Sequence, residues 1–509
     1  MSNTITIKKN SSRLHFKGRE TELAQMDRMW AMDEATLLVL YGRRRVGKTR
    51  LLTHWSKQHP ENTLYWVAEP TSAADQLKSF SKALFQYVNK DFMVPEGITF
   101  NTWEAALWQV AKIAEQQKFA LLVDEFTYLL DADETIVGTL QKMWDQQLKD
   151  TNLFLALSGS HMGMMEKQVL SYQAPLYGRA TMKLNLSPLP YGLAREFFPN
   201  YQPAERVGVY AVLGGIPAYW ERFDPEIGLY DNIRDRLISN QLLLDEPIVL
   251  LTDWLDKPNN YVTILQAISK GKQTPVLIKN HTGMQKGHVS RYLSILQDTG
   301  YVGRRVPVDQ DGEGGRKSRY YLTDPFLRFY YRFVSPNLSQ IAMGGYEKAM
   351  NEIGGAFDRF IADNTWPELC REWLMRAAIY TELPGGVQID DVGEMWSGDN
   401  NLPVVGINKA TNEMVIGLPF WQEAPVSISQ LEAANKEINN VLRKSDSFYK
   451  VYLVGFARSG YAPDVDAYVK AVENEHIRGS NWQARWCLLL DINEIDDDLH
   501  RLSKIVNIK

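Results

Sequence analysis

Residues 42–49 read GRRRVGKT, which satisfies the spacing G-x-x-x-x-G-K-[ST], and they follow directly on the apolar run TLLVLY at 36–41. The chemistry that this spacing serves is phosphate binding. Gly42 and Gly47 let the backbone wrap around an anion, and the N–H groups from Arg44 through Arg45, Val46 and Gly47 to Lys48 face it at a helix start. Arg43 and Arg50 flank that cradle. Lys48 is placed to reach the β- and γ-phosphates of ATP, and the Thr49 hydroxyl to ligate Mg²⁺.

A second segment supplies what cleavage needs. Residues 119–125 read FALLVDE, an apolar strand that ends in two acids. Asp124 is placed to hold Mg²⁺ through its water shell and Glu125 to polarise the attacking water. The run LFLALSGS at 153–160 is a further strand ending in small hydroxyl residues. Beside the other two it would bring Ser158 or Ser160 near the γ-phosphate. Arg179, in PLYGRA, is the best candidate for a charge-neutralising arginine, acting within its own chain or from a neighbouring subunit.

These groups need a scaffold, and the chain offers one. Strands read at 37–41, 63–67, 120–123 and 153–157 alternate with helical stretches such as 74–88 and 102–116. That order predicts an α/β domain, a P-loop parallel sheet covered on both faces, over residues 12–195. A helical lid follows at 196–257. It contains GGIPAYW at 214–220, where two glycines and Pro217 break the helix, so that this loop can approach the nucleotide or serve as a simple interhelical turn.

From 258 to 335 the pattern changes to three short helices and a polar hairpin, which reads as a winged helix-turn-helix. Near the start of its third helix stand Gln285, Lys286, His288, Ser290 and Arg291, where a recognition helix meets bases or phosphates. The wing adds Arg304, Arg305, Arg316, Lys317 and Arg319. Between 258 and 322 there are ten Lys and Arg against four Asp and Glu. Double-stranded DNA is the partner this excess suits, although winged helices also bind proteins and sense nucleotides.

The composition sets bounds on these readings. The chain has 509 residues, 45% of them hydrophobic, and a net charge of −5. That is room for about three domains of ordinary size. An acidic total argues against a protein that coats nucleic acid over its whole surface, while leaving local basic patches. No apolar stretch approaches membrane-spanning length and MSNTITIKKNSS has no signal-peptide core, so cytoplasmic residence without membrane contact is expected. Cys370 and Cys487 are far apart in sequence, which favours buried thiols over a disulfide or a zinc site.

Taken in order, FKGRETEL (16–23), GRRRVGKT, LLVDEF, SGS, PLYGR, GGIPAYW and RYYLTDPFLRFYYRFVSPN (319–337) resemble the archaeal-type ATPases of the AAA+/STAND group. Members of that family carry a C-terminal domain of the PD-(D/E)xK nuclease superfamily. The resemblance covers nearly the whole chain. It implies an ATPase related to Orc-type initiators, with Gly18 and Arg19 near the adenine and Pro217 near the nucleotide, reporting its state.

The region 350–509 has the element order of that α/β, restriction-endonuclease-like fold: a helix over 357–378, strands near 387–395, 402–407 and 414–420, a helix over 428–443, and strands over 449–456 and 485–491. Its chemistry departs from the family. Where nuclease relatives carry glutamate-isoleucine-aspartate, this chain has Asn401, Leu402 and Pro403. Where they carry glycine-glutamate-cysteine-lysine-tryptophan, it has Gly417, Leu418, Pro419, Phe420 and Trp421; the first-helix acid is replaced at Trp366-Pro367. Apolar side chains cannot hold a hard cation. A nuclease fold without nuclease activity is therefore expected, unless displaced acids such as Asp391, Asp399, Glu413 or Glu432 compensate. The apolar GLPFW segment is repacked core or a docking face for a protein or DNA partner.

Two function classes remain open at this point. One is an ATP-hydrolysing switch that binds DNA through the winged helix. The other is a regulatory scaffold that keeps ATP as a structural ligand and binds protein through its C-terminal domain. An ATP-dependent nuclease is a third reading, and the missing acids argue against it. Oligomerisation is compatible with each.

Overall fold

The computed structural model describes residues 16–89, 97–239, 244–252, 258–310, 318–381, 383, 386–443, 449–473, 477–478 and 482–505. Two compact units emerge. The first comprises the described residues up to Leu189 together with Ile216–Glu221; the second comprises Pro190–Gly215 and the described part of Arg222–Ile505.

The first unit is built on five parallel strands: β1 Thr36–Tyr41, β2 Thr63–Val67, β3 Phe119–Asp124, β4 Leu153–Gly159 and β5 Met182–Asn185, in the order β2-β3-β4-β1-β5. Because strand side chains alternate between faces, each apolar run feeds two cores. Leu37, Val39, Leu121, Val123, Leu155 and Leu157 pack on one side. That core is completed by residues of α3 Ala73–Val88, α4 Trp103–Gln116, α5 Phe126–Ala132 and α6 Ile136–Gln146. On the other side Leu38, Leu40, Ala120, Leu122, Phe154 and Ala156 pack with residues of α1 Glu20–Ala31 and α2 Lys48–Ser56. A sheet buried on both faces needs such uninterrupted apolar strands, and β1, β3 and β4 are buried from end to end apart from Tyr41. Helix starts are set by local chemistry: Ser72 caps α3 by accepting from the Asp75 N–H, and Thr102 caps α4 by accepting from the Ala105 N–H.

β4 lies between β1 and β3, as the sequence reading expects. The reading leaves out β5, a four-residue edge strand that pairs with β1 from Leu38↔Met182 to Tyr41↔Asn185.

In the second unit, helices Asn259–Ser269, Pro275–Thr282 and Lys286–Asp298 precede a hairpin of β6 Val302–Arg305 and β7 Arg319–Leu322. Further on, β8 Asp391–Ser397, β9 Asn400–Asn408, β10 Glu413–Phe420, β11 Tyr449–Ala457, β12 Ile477–Arg478 and β13 Trp482–Asp491 form a mixed sheet in the order β12-β13-β11-β10-β9-β8. β10, β11 and β13 are parallel. Helix Ile428–Leu442 connects β10 to β11. The helix read over 357–378 is two helices, Glu347–Phe360 and Trp366–Tyr380, joined by a wider π-helical turn at Ile361–Thr365. Pro367 explains the turn, since proline has no N–H to donate to the preceding turn and its ring crowds the carbonyl there. Cys370 is a buried free thiol, while the Cys487 side chain lies outside the described residues. Among the described residues no helix is long and apolar enough to cross a membrane.

Candidate nucleotide site

The phosphate loop leaves the carboxyl end of β1 and enters α2 at Lys48. Two backbone constraints hold its shape. Gly42 has φ +155°, and a Cβ there would lie 2.5 Å from the Leu186 carbonyl oxygen, so a side chain would drive apart β1 and the chain after β5. Gly47 caps α2 in the left-handed region with φ +106°, where glycine alone is unstrained. Arg45 takes a positive φ of 65° between them.

Lys48 is almost fully buried, and its Nζ donates to the carbonyls of Gly42 at 2.8 Å and Arg43 at 3.0 Å. Burial lowers its pKa to about 8, against the opposing pull of the Glu125 and Asp124 carboxylates. Beside it, the Thr49 hydroxyl donates to Asp124 Oδ2 at 2.6 Å. The same oxygen accepts from the Tyr65 hydroxyl at 2.9 Å, and Asp124 Oδ1 accepts from the Glu125 N–H at 3.0 Å. Burial and then the nearby Asp124 carboxylate push the Tyr65 hydroxyl pKa well up, so Tyr65 remains a donor.

One carboxylate and one hydroxyl at a shared point, both next to the phosphate loop, suit Mg²⁺. This cation keeps water and takes phosphate oxygens to complete its shell rather than a cage of protein ligands. Among the described residues no group of three or more His, Cys, Asp or Glu side chains is arranged to hold a metal by itself.

Glu125 has φ +51°, a conformation that costs a non-glycine residue about 1–3 kcal/mol. That turn directs its carboxylate onto Ser160, whose hydroxyl lies 2.7 and 2.6 Å from Oε1 and Oε2. Of the two serines considered, Ser160 reaches the acid. Ser158 is fully buried in register with Leu40, and its Oγ has no hydrogen-bond partner among the described residues.

Other expected residues sit around this centre. Arg19 is buried and spans between elements: Nη1 meets Glu22 Oε1 at 2.8 Å, and Nη2 donates to the carbonyls of Val46 at 3.1 Å and Ser187 at 2.7 Å. It thus pins the phosphate loop to the chain after β5. Gly18 precedes it at φ +77°. Arg44 donates to the Tyr128 hydroxyl at 3.0 Å. Arg50, on α2, pairs with Glu221, next to the short helix Pro217–Trp220 that begins at Pro217. The sequence reading misses Tyr65 and Glu221. The signal for Tyr65 is the pairing of β2 with the acid-bearing β3, which the fold supplies.

Some expectations need correction. Arg179 is not brought to Lys48 within the chain. It precedes β5, near where the Thr181 N–H bonds the Leu37 carbonyl at the opposite end of β1 from the loop. Its guanidinium makes a two-pronged pair with Asp145 at 2.8 Å. Arg305 and Arg319, read as wing cations, are engaged within their own unit. Arg305 pairs with Glu394 at 2.6 Å and Glu368 at 3.1 Å and covers the Tyr321 ring; Arg319 stacks on Trp396 and donates to Asn401 at 3.2 Å. The physical reason is that carboxylates and aromatic faces within the same unit compete successfully with solvent for these cations. Arg304 donates to Ser318 at 2.8 Å, and Arg316 and Lys317 lie outside the described residues. Lys286, His288, Ser290 and Arg291 are exposed at the start of helix Lys286–Asp298.

In the second unit Pro367, Asn401, Leu402, Pro403, Leu418, Pro419 and Phe420 surround one cavity of about 280 Å³, whose carboxylates are Asp363 and Glu437. Asp391, Asp399, Glu413 and Glu432 do not line it.

A sheet in which one strand separates the phosphate-loop strand from the acid-bearing strand, with Lys48, Thr49, Asp124 and Glu125 gathered at its carboxyl edge, defines the class: a P-loop ATPase domain. Residues 16–223 match the family described as an ATPase domain predominantly from Archaea, and residues 330–436 match a family of archaeal and bacterial proteins of unknown function. Residues 16–223 thus form an ATPase domain of this archaeal type. It is 27% identical over 490 residues to an uncharacterized protein of Methanocaldococcus jannaschii, spanning 94% of this chain and 99% of that one. Among solved structures it is similar to Cdc6p from Pyrobaculum aerophilum, with 12% identity and a TM-score of 0.34 over 67% of this chain and 95% of that one. It is similar as well to the Aeropyrum pernix Orc1 protein in complex with DNA, with 14% identity and a TM-score of 0.31 over 64% and 95% of the two chains.

Proposed function

We propose that the protein is an ATP-hydrolysing molecular switch. The observation that carries this reading is the pair of hydrogen bonds at the ends of β3 and β4: Thr49 to Asp124 at 2.6 Å, and Ser160 to Glu125 at 2.6–2.7 Å. A site that only stored nucleotide would need the first pair alone. Bound at Thr49 and Asp124, Mg²⁺ would neutralise phosphate charge. Lys48 leaves the Gly42 and Arg43 carbonyls for the β- and γ-phosphates, and Glu125 orients and polarises the attacking water. Gly18 and Arg19 lie towards the base and the Pro217 segment towards the nucleotide. Arg179 can contribute its charge from another copy of the chain.

In this reading the functional segments are 12–195 for hydrolysis, 196–257 as lid, 258–335 as winged helix and 350–509 as a nuclease-like domain without nuclease activity. DNA contact falls to Lys286, His288, Ser290 and Arg291, whose exposure supports it. The absence of nuclease chemistry is supported by the prolines, leucines and phenylalanine around the cavity at Pro403. The test is ATP turnover with and without duplex DNA, alongside plasmid cleavage in Mg²⁺ or Mn²⁺. The expected results are turnover stimulated by DNA and intact plasmid. Turnover no faster than that of Lys48→Ala would reduce the protein to a nucleotide-bound scaffold.

A further inference from the structure

The second unit contains a larger cavity, of about 690 Å³, that has no part in the chemistry described so far. Its walls carry five cationic side chains, Lys270, Arg305, Arg328, Arg332 and Arg359. Among the described residues of the wall, Asp363 and Glu368 are the acids that oppose them. Glu368 is spoken for: its Oε2 accepts from both Nη atoms of Arg328 at 3.1 Å, and its Oε1 from Arg305 at 3.1 Å. Burial raises the Glu368 carboxyl, and the guanidiniums of Arg328, Arg305 and Arg371 outweigh that effect and keep it below its ordinary value. It is therefore a fixed anion, and positive charge remains in excess.

A second observation points to a missing acceptor. Arg328 is 6% exposed, and its Nε is buried with no hydrogen-bond partner among the described residues. A buried guanidinium N–H left unpaired is destabilising, and a bound oxyanion would supply the missing acceptor. Arg332 and Arg359 are exposed, Arg359 beside Asp363 at 3.5 Å, while Tyr321 and Phe360 add aromatic surface to the wall.

We propose that this cavity binds a small phosphate-bearing molecule. Planar guanidiniums recognise phosphate oxygens with paired donors. A recess of this volume suits a molecule of nucleotide size rather than a flat contact with a long strand. The site does not depend on the phosphate loop.

The test uses the full chain carrying Lys48→Ala, so that the phosphate loop is silenced, titrated calorimetrically with pyrophosphate and with AMP at low salt. One saturable event per chain is expected for at least one of the two probes. It should weaken about tenfold or more when Arg332→Gln and Arg359→Gln are added, since each removes a charge-assisted contact. Both positions are exposed, Arg359 at 87% of its side chain, so an unchanged thermal midpoint would show that the fold survives. No saturable binding of either probe, or equal affinity in the triple variant, would overturn the proposal. So would a 20-base-pair duplex that binds in an Arg332- and Arg359-dependent way where both small probes fail, since the recess would then be a nucleic-acid contact.

Discussion

The Ser160 hydroxyl stands within 2.7 Å of both carboxylate oxygens of Glu125, a residue whose backbone is held at φ +51°. Strand geometry makes this meeting possible: β3 and β4 are adjacent and parallel, and both end at this edge. Ser160 is positioned to fix the rotamer of the acid. Replacing Glu125 with Gln preserves an acceptor for Ser160 but removes the base, so kcat should fall by about 10²–10⁴ with nucleotide affinity nearly unchanged. Ser160→Ala should lower kcat less, by about tenfold, because the acid remains and only its orientation is lost. Steady-state turnover together with equilibrium nucleotide binding separates the two. Equal kcat in Ser160→Ala and the parent would remove the positioning role.

Lys48 gives the site a pH signature. Its pKa is lowered to about 8 by burial, and bound phosphate would raise it again. The protonated form is thus the one that binds. ATP affinity should be flat below pH 8 and fall above it, by at most about tenfold per unit. Without ligand the sign is reversed for stability: between about 8 and the ordinary value of 10.5, the unfolded chain holds more protons, so stability rises with pH. Nucleotide titrations at pH 7, 8 and 9 check the first trend, and Lys48→Met should abolish the second in unfolding experiments.

Tyr65 hydrogen-bonds Asp124 beside Thr49, so its removal should act through the metal. Tyr65→Phe deletes the 2.9 Å hydrogen bond to Oδ2 and leaves Thr49 at 2.6 Å. Groups that orient a ligating carboxylate contribute roughly 10–100-fold to metal affinity. The Mg²⁺ concentration for half-maximal turnover should rise about tenfold, with kcat at saturating Mg²⁺ retained. A fall in kcat that excess Mg²⁺ does not rescue would place Tyr65 in another role.

What the sequence revealed of this site follows the physics of each part. Phosphate binding demands particular residues at fixed spacing within one segment, so Gly42 to Thr49 declare themselves, and an apolar strand ending in Asp124 and Glu125 has no packing reason to do so. β5 escapes because Met182–Asn185 is four residues at a sheet edge, half solvated, and takes its strand conformation from pairing with β1. Arg305 and Arg319 look like a basic wing when counted along the chain. Their partners Glu394, Glu368 and Trp396 are some 60–90 residues away in sequence, and only the fold reveals that the charges are spent internally. Tyr65 is legible only once strand neighbours are known, and the sequence names Ser158 and Ser160 together without choosing between them.

Asp496 makes the strongest prediction for the second unit. Its nearly buried carboxylate accepts from Tyr191 at 2.6 Å, from Arg206 through Nε at 3.1 Å and Nη2 at 2.6 Å, and from Arg195. Residues 191–206 are thereby fastened to helix Ile492–Ser503, about 300 residues on. Burial raises this carboxyl, and the hydrogen bonds from Arg206, Arg195 and Tyr191 outweigh it and leave the pKa below 3.8. Asp496→Ala would strand the buried Arg206 guanidinium, at a cost of about 3–5 kcal/mol. Because the folded pKa is depressed, the stabilisation is present above the ordinary carboxylate value and is lost as pH falls through the folded one. Urea unfolding should therefore show a wide gap between the parent and Asp496→Asn at pH 7 that narrows steadily below pH 3.8. A gap that stays constant across that range would mean that shape, and not the charge on Asp496, holds these segments together.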